Sequence, residues 1–146
     1  MTVLVIDGQG GGLGRQLVAA VKARVPGAAV WAVGTNSATT AMLRAGADKA
    51  ATGENAVAVA CRRADVIVGP VGIVIADAML GEITPAMALA VGQSAAARVL
   101  VPVNQCDNIV AGAQGLPMAH LVQSAAEAVE SLAAGGQGAG AQSGAH

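Results

Sequence analysis

Gly8, Gly12 and Gly14 stand in the spacing G-x-x-x-G-x-G within VLVIDGQGGGLG, residues 3–14. Four apolar residues and Asp7 precede them, and a helical pattern opens near Leu13. A buried strand, a turn without side chains and a helix N-terminus make an anion site, because free N–H groups and the helix dipole favour negative charge. In this spacing the first glycine makes the turn, the middle one admits a phosphate, and the last lets helix and strand pack closely. The predicted binding residues are Asp7, Gly8, Gly10, Gly11, Gly12, Leu13 and Gly14, with Thr35 and Asn36 after a second strand. Gly69, Pro70 and Gly72, after a fourth strand, are predicted to form the opposite wall.

The chemistry of the ligand is narrower than the turn alone implies. The pattern G-x-G-x-x-G needs glycine where Leu13 stands, so it fails. NAD binders hold a ribose hydroxyl with an acid at the end of the second strand. Gly34, Thr35 and Asn36 occupy that place, and no arginine follows to hold a 2′-phosphate. NAD(P) and other nucleotides both stay open, and a mononucleotide or another phosphate compound gains ground. Asn36 reads either as a ribose contact or as the cap of the next helix. Arg15 lies in the first helical turn, where the dipole disfavours a cation, so it faces either a bound anion or water. Short-chain dehydrogenases share the glycine spacing, but their catalysis needs a tyrosine followed four residues later by a lysine. The chain has no tyrosine, and its lysines are Lys22 and Lys49, so that reaction is excluded.

The weaker candidates for catalysis are Glu54 in TGEN, Asp77 and Glu82 in IADAMLGEITPAM, and Cys106 in PVNQCD. Carboxylates beyond the ends of strands are placed to bind a metal or act as bases near a phosphate. Each also has a structural alternative: Asp7 can bond its own loop, Glu54 can favour its helix start, and Asp77 can be an exposed helical residue. A Cys106 nucleophile needs a neighbouring base, and His120 falls in the last helix. Cys61 reads as a packing residue, and two cysteines with one histidine before the tail are too few for a Cys/His metal site.

The elements that must position these residues follow from periodicity. The apolar run at 3–6 predicts a central parallel strand buried on both faces, and further strands are predicted at 28–33, 66–68 and 99–103, with a short one at 49–51. Helices are predicted from Leu13 to Val25, from the Thr35-Asn36-Ser37 caps to Gly46, and from TGEN to Arg63. A helical stretch is predicted over 73–80, another from Thr84-Pro85, a short sixth strand over 109–111, and a last helix from Pro117 to Ala133. Strands alternating with helices predict a three-layer, Rossmann-like, doubly wound parallel sheet of order 3-2-1-4-5, with right-handed crossovers. Its ligand crevice lies between the first and fourth strands. One domain is predicted over residues 1–133, followed by a Gly/Ala/Gln/Ser tail over 134–146 that cannot bury enough to offset its ordering entropy.

Hydrophobic residues make up 54% of the 146 and charged ones 12%, against about 25% charged in an average domain. So little polar surface predicts a homo-oligomer that covers an Ala-rich face. The net charge of −1 with scattered basic residues argues against nucleic acid. The longest apolar region, 66–80, is broken by Gly69, Pro70, Gly72 and Asp77, which argues against a membrane span. A cytoplasmic location is the default expectation.

The combination IDGQGGGLG, GTNS, ATGEN, GPVGIVIADAMLGEITPAM and VPVNQC resembles a family of short bacterial proteins catalogued as a domain of unknown function. The resemblance runs to about Ala133. It implies a complete, stand-alone protein with a Rossmann-like fold and carries over no catalytic residue. The leading expectation is therefore a nucleotide- or dinucleotide-phosphate-binding protein. A non-catalytic regulatory or assembly subunit acting through its Ala-rich interface is the alternative.

Overall fold

Val3, Leu4, Val5 and Ile6 are all buried, because the strand they form is covered on both faces. The computed structural model describes residues 1–103 and 107–135. In it β1 (Thr2–Asp7) pairs in parallel with β2 (Ala29–Gly34) on one side and β4 (Val66–Pro70) on the other. β3 (Lys49–Thr52) and β5 (Ala97–Val101) form the two edges. The strand order is β3-β2-β1-β4-β5, and the α/β sheet is Rossmann-like, as its sequence pattern predicts.

Alternation along β1 sorts its side chains into two cores. Val3 and Val5 meet Leu17, Val18 and Val21 of α1 (Gly12–Arg24), Met42 of α2 (Ala38–Arg44), and Val122 and Val129 of α5 (Met118–Gly135). Leu4 and Ile6 meet Val57 and Cys61 of α3 (Glu54–Arg63) and Met87 and Val91 of α4 (Pro85–Gln93). Arg24 on α1 reaches Glu127 and Glu130 on α5, both at 3.3 Å. The Asp48 carboxylate accepts the Val30 N–H at 2.8 Å and pairs with Lys22 at 2.9 Å, which holds it below the usual carboxylate range. Among the described residues no helix is long and apolar enough to cross a membrane.

Three predicted elements differ. The stretch 73–80 is a short 3₁₀ turn, Val71–Val74, followed by turns. A regular helix would hold every φ near −60°. Instead Asp77, Met79 and Leu80 take φ of 67°, 59° and 55°, and paired bonds from Asp77 N to Ile83 O and from Ile83 N to Ala78 O close the loop. Residues 109–111 form no strand, since β5 already ends the sheet and Ile109 is 81% exposed. Thr35, Asn36 and Ser37 give α2 no side-chain cap: Ser37 holds the N-cap position without a cap bond, and the Thr35 hydroxyl is turned towards Glu82. By contrast Thr84 caps α4 as predicted, accepting the Met87 N–H at 3.1 Å ahead of Pro85. α5 continues to Gly135, and the remaining tail lies outside the described residues.

Close packing of α1 on β1 depends on Gly14. A Cβ there would stand 2.6 Å from Met42 Sδ and 2.8 Å from the Asp7 Cβ, whereas one on Gly12 would meet nothing within 4 Å. Gly14→Ala should therefore destabilise the fold by about 1–3 kcal/mol. Gly12→Ala should leave it unchanged or raise it by up to about 1 kcal/mol. Urea midpoints at constant m-value measure both.

Candidate functional site

The chain leaves β1 for one face of the sheet and β4 for the other, so a crevice opens at the ends of these two strands. The glycine turn occupies its β1 side. Gln9, Gly10 and Gly11 have φ of 49°, 90° and 75°, which wrap the chain tightly before α1 begins. The Gly11 N–H closes the turn on Gly8 O at 3.1 Å.

Asp7 organises the inner side of the turn. Its carboxylate, 2% exposed, accepts the Gly8 N–H at 2.8 Å and the Gly14 N–H at 2.6 Å. Both ends of the loop are thus held by one buried group. Burial pushes the Asp7 carboxyl above its ordinary value, the two N–H bonds pull it partly back, and the charge of Glu82 raises it again.

Glu82 arrives from the loop after β4. Its Oε1 accepts the Gln9 N–H at 3.0 Å and the Thr35 hydroxyl at 2.7 Å. One carboxylate therefore ties together the ends of β1 and β2 and the 75–83 loop. Met79 packs beside it, and a Cβ on Gly8 would stand 2.8 Å from both Met79 Sδ and Thr35 Oγ1. This contact, rather than a positive φ, is what keeps residue 8 a glycine.

The outer side of the turn is open. The N–H groups of Gly10, Gly12 and Leu13 have no acceptor among the described residues, and α1 has no side-chain cap. Gly10 and Gly12 are exposed, with nothing within 4 Å of a Cβ on either. Next to them lies a cavity of about 380 Å³, lined by Gln9, Gly72, the 75–80 loop, Asp107 and Asn108.

The other predicted site residues separate. Gly72 lines the cavity, but Gly69 and Pro70 are buried in β4, where a Cβ on Gly69 would strike the Ile6 carbonyl. Asp77 reaches the cavity wall on the turn loop. Glu54 lies elsewhere, its Oε1 accepting the Thr84 hydroxyl at 2.6 Å, so it links the starts of α3 and α4. Asn36 is exposed, with its carbonyl 3.5 Å from Thr39 Oγ1. Arg15 lines a groove between α1 and α2 with Arg44. Cys106 lies outside the described residues. Cys61 is buried, and burial pushes its thiol up to about 11, which suits packing rather than reactivity. His120 is exposed on α5. Among the described residues no cluster of His, Cys, Asp or Glu is placed to hold a metal ion. Sequence reasoning missed the Gln9–Glu82–Thr35 link, since nothing local connects residues 9, 35 and 82.

These features define a Rossmann-like α/β domain with a glycine turn at its switch point. The chain belongs to the family described as "Domain of unknown function (DUF3842)", which matches residues 2–134. No curated protein sequence matches it. Among solved structures it is similar to a dodecameric FMN-dependent UbiX-like decarboxylase from Escherichia coli O157:H7, with 16% identity and a TM-score of 0.47. That similarity covers 88% of this chain and 94% of the other.

Asp7 holds its proton more tightly folded than unfolded. Its contribution to stability is complete below the ordinary value of 3.8 and is lost as pH rises through the raised folded value. Relative to Asp7→Asn, the wild-type chain should therefore lose stability across that window in urea unfolding at successive pH values. A wild-type stability that rises with pH relative to Asp7→Asn would refute the burial argument. Glu82→Gln should lower the Asp7 pKa in a carboxyl-carbon NMR titration, because it removes the neighbouring charge.

Proposed function

We propose that the protein binds the phosphate of a nucleotide or a related phosphate compound on the outer side of the glycine turn. The observation that carries this reading is the set of N–H groups at Gly10, Gly12 and Leu13, which have no acceptor among the described residues, at an uncapped helix start. Such groups favour an anion. The neighbouring cavity offers space for the rest of the ligand. The inner N–H groups are already taken by Asp7 and Glu82, whose charges confine an incoming anion to the outer side. Both carboxylates, and Glu54 as well, hold backbone or hydroxyl groups, so the reading is one of binding with no reaction assigned.

Gly12→Asp tests this directly. The new carboxylate has room, and an acid in the first helical turn suits the dipole. The variant should fold as stably as wild type while losing roughly tenfold or more in phosphate-ligand affinity. Calorimetry with nicotinamide dinucleotides, adenine nucleotides, flavin mononucleotide and inorganic phosphate measures it. Absence of binding by all of them, or binding undiminished in Gly12→Asp, would overturn the proposal.

An assembly role is the second reading, favoured by one observation. Leu80 is 99% and Ile109 81% exposed, and Leu43 and Leu89 are exposed too. A second copy of the chain would cover such side chains. Light scattering should then give a mass above that of one chain, and a monomer at all concentrations would remove this reading.

A further inference from the structure

Trp31 is the chain's one aromatic residue, since phenylalanine and tyrosine are absent. The fold places it half-buried on β2, outside the deepest core. Beside it a groove of about 240 Å³ opens between the edge strand β3 and α3. Val33, Ala51, Ala56 and Val59 give that groove an apolar lining. Lys49 Nζ lies 5.3 Å and Arg63 Cζ 5.7 Å from the centre of the Trp31 ring.

Two cations over one indole attract the ring and repel each other. The ion pairs among the described residues involve Lys22 and Arg24, so neither Lys49 nor Arg63 is matched by a carboxylate there. Arg63 suits the C-terminal end of α3 through the helix dipole, but that gives no reason for Lys49 to meet it on the same ring. An apolar lining with two converging, unmatched cations at its rim is complementary to a ligand that is apolar along most of its length and anionic at one end. The volume lies below the range of about 300–1,000 Å³ typical of drug-sized ligands, so the ligand is small. A lysine on a short edge strand opposes pairing with another strand, which argues against a docked chain.

We propose that this groove binds a small amphiphilic carboxylate. Its chain or ring lies on Val33, Ala51, Ala56 and Val59 beside the indole, and its carboxylate sits between Lys49 and Arg63. Lys49 begins β3, level with Leu4 in the middle of β1, and Arg63 ends α3, so the cationic rim lies away from the glycine turn that follows Asp7. The two sites are separate, and failure of one says nothing about the other.

Trp31 emission reports on this groove alone, because no other tryptophan or tyrosine contributes. Titration with octanoate, octanol and octylammonium compares one chain with three head groups. Octanoate should shift the emission saturably, with affinity roughly tenfold or more above the other two. Lys49→Gln with Arg63→Gln should abolish that preference while circular dichroism stays unchanged, and Lys49→Gln alone should weaken it. Ala56→Leu, which fills the groove, should block all three probes. Equal response to the three head groups, or an octanoate preference that survives loss of both cations, overturns the proposal. So does displacement of octanoate by inorganic phosphate, or emission that follows protein concentration and ignores octanoate.

Discussion

The Asp7 carboxylate holding the N–H groups of Gly8 and Gly14 is the interaction on which the site depends. A buried charge is costly unless hydrogen bonds compensate it, and here both oxygens are engaged. Those bonds close a loop whose ends are six residues apart and bring the start of α1 down onto the end of β1. Gly14 makes the approach possible, because any side chain there would displace Met42 or Asp7 itself. With the loop closed from inside, Gly10 and Gly12 are left on its outer surface.

The loop after β4 completes the arrangement by a different means. It has little regular structure, yet Met79 and Ile83 anchor it in the core while Asp77, Met79 and Leu80 accept left-handed backbone. Such residues are strained, and they persist where the surroundings over-determine them. The outcome is that Glu82 reaches Gln9 and Thr35. The inner rim of the turn thereby carries two carboxyl groups, Asp7 and Glu82.

Coverage of the sheet is uneven, and that unevenness creates the molecule's other surface feature. α1, α2 and α5 cover one face from β3 to β5, while α3 and α4 crowd over the middle and far side of the other. The β3 end of that face is left with the groove beside Trp31. A large half-buried ring there shields the sheet, and its electron-rich face gathers the two cations.

Local pattern was enough for much of this. Four consecutive apolar residues in β1 require a strand covered on both faces, and alternation of strands with helices leads to a parallel sheet of order 3-2-1-4-5. Glycine spacing located the turn, predicted the close contact at Gly14, and Thr84-Pro85 marked the start of α4. What sequence could not reveal were contacts between residues far apart in the chain. Residues 73–80 carry an apolar helical pattern, but Asp77, Met79 and Leu80 take left-handed backbone and Glu82 bonds Gln9, neither of which a local pattern reveals. Thr35 looked like a helix cap until Glu82, 47 positions away, engaged its hydroxyl. Periodicity and steric rules within a few residues set the five strands, the α-helices that pack on them and the place of the glycine turn. Which N–H groups of that turn stay open was settled by tertiary contacts, because Asp7 takes the Gly14 N–H seven positions on and Glu82 takes the Gln9 N–H across 73 positions.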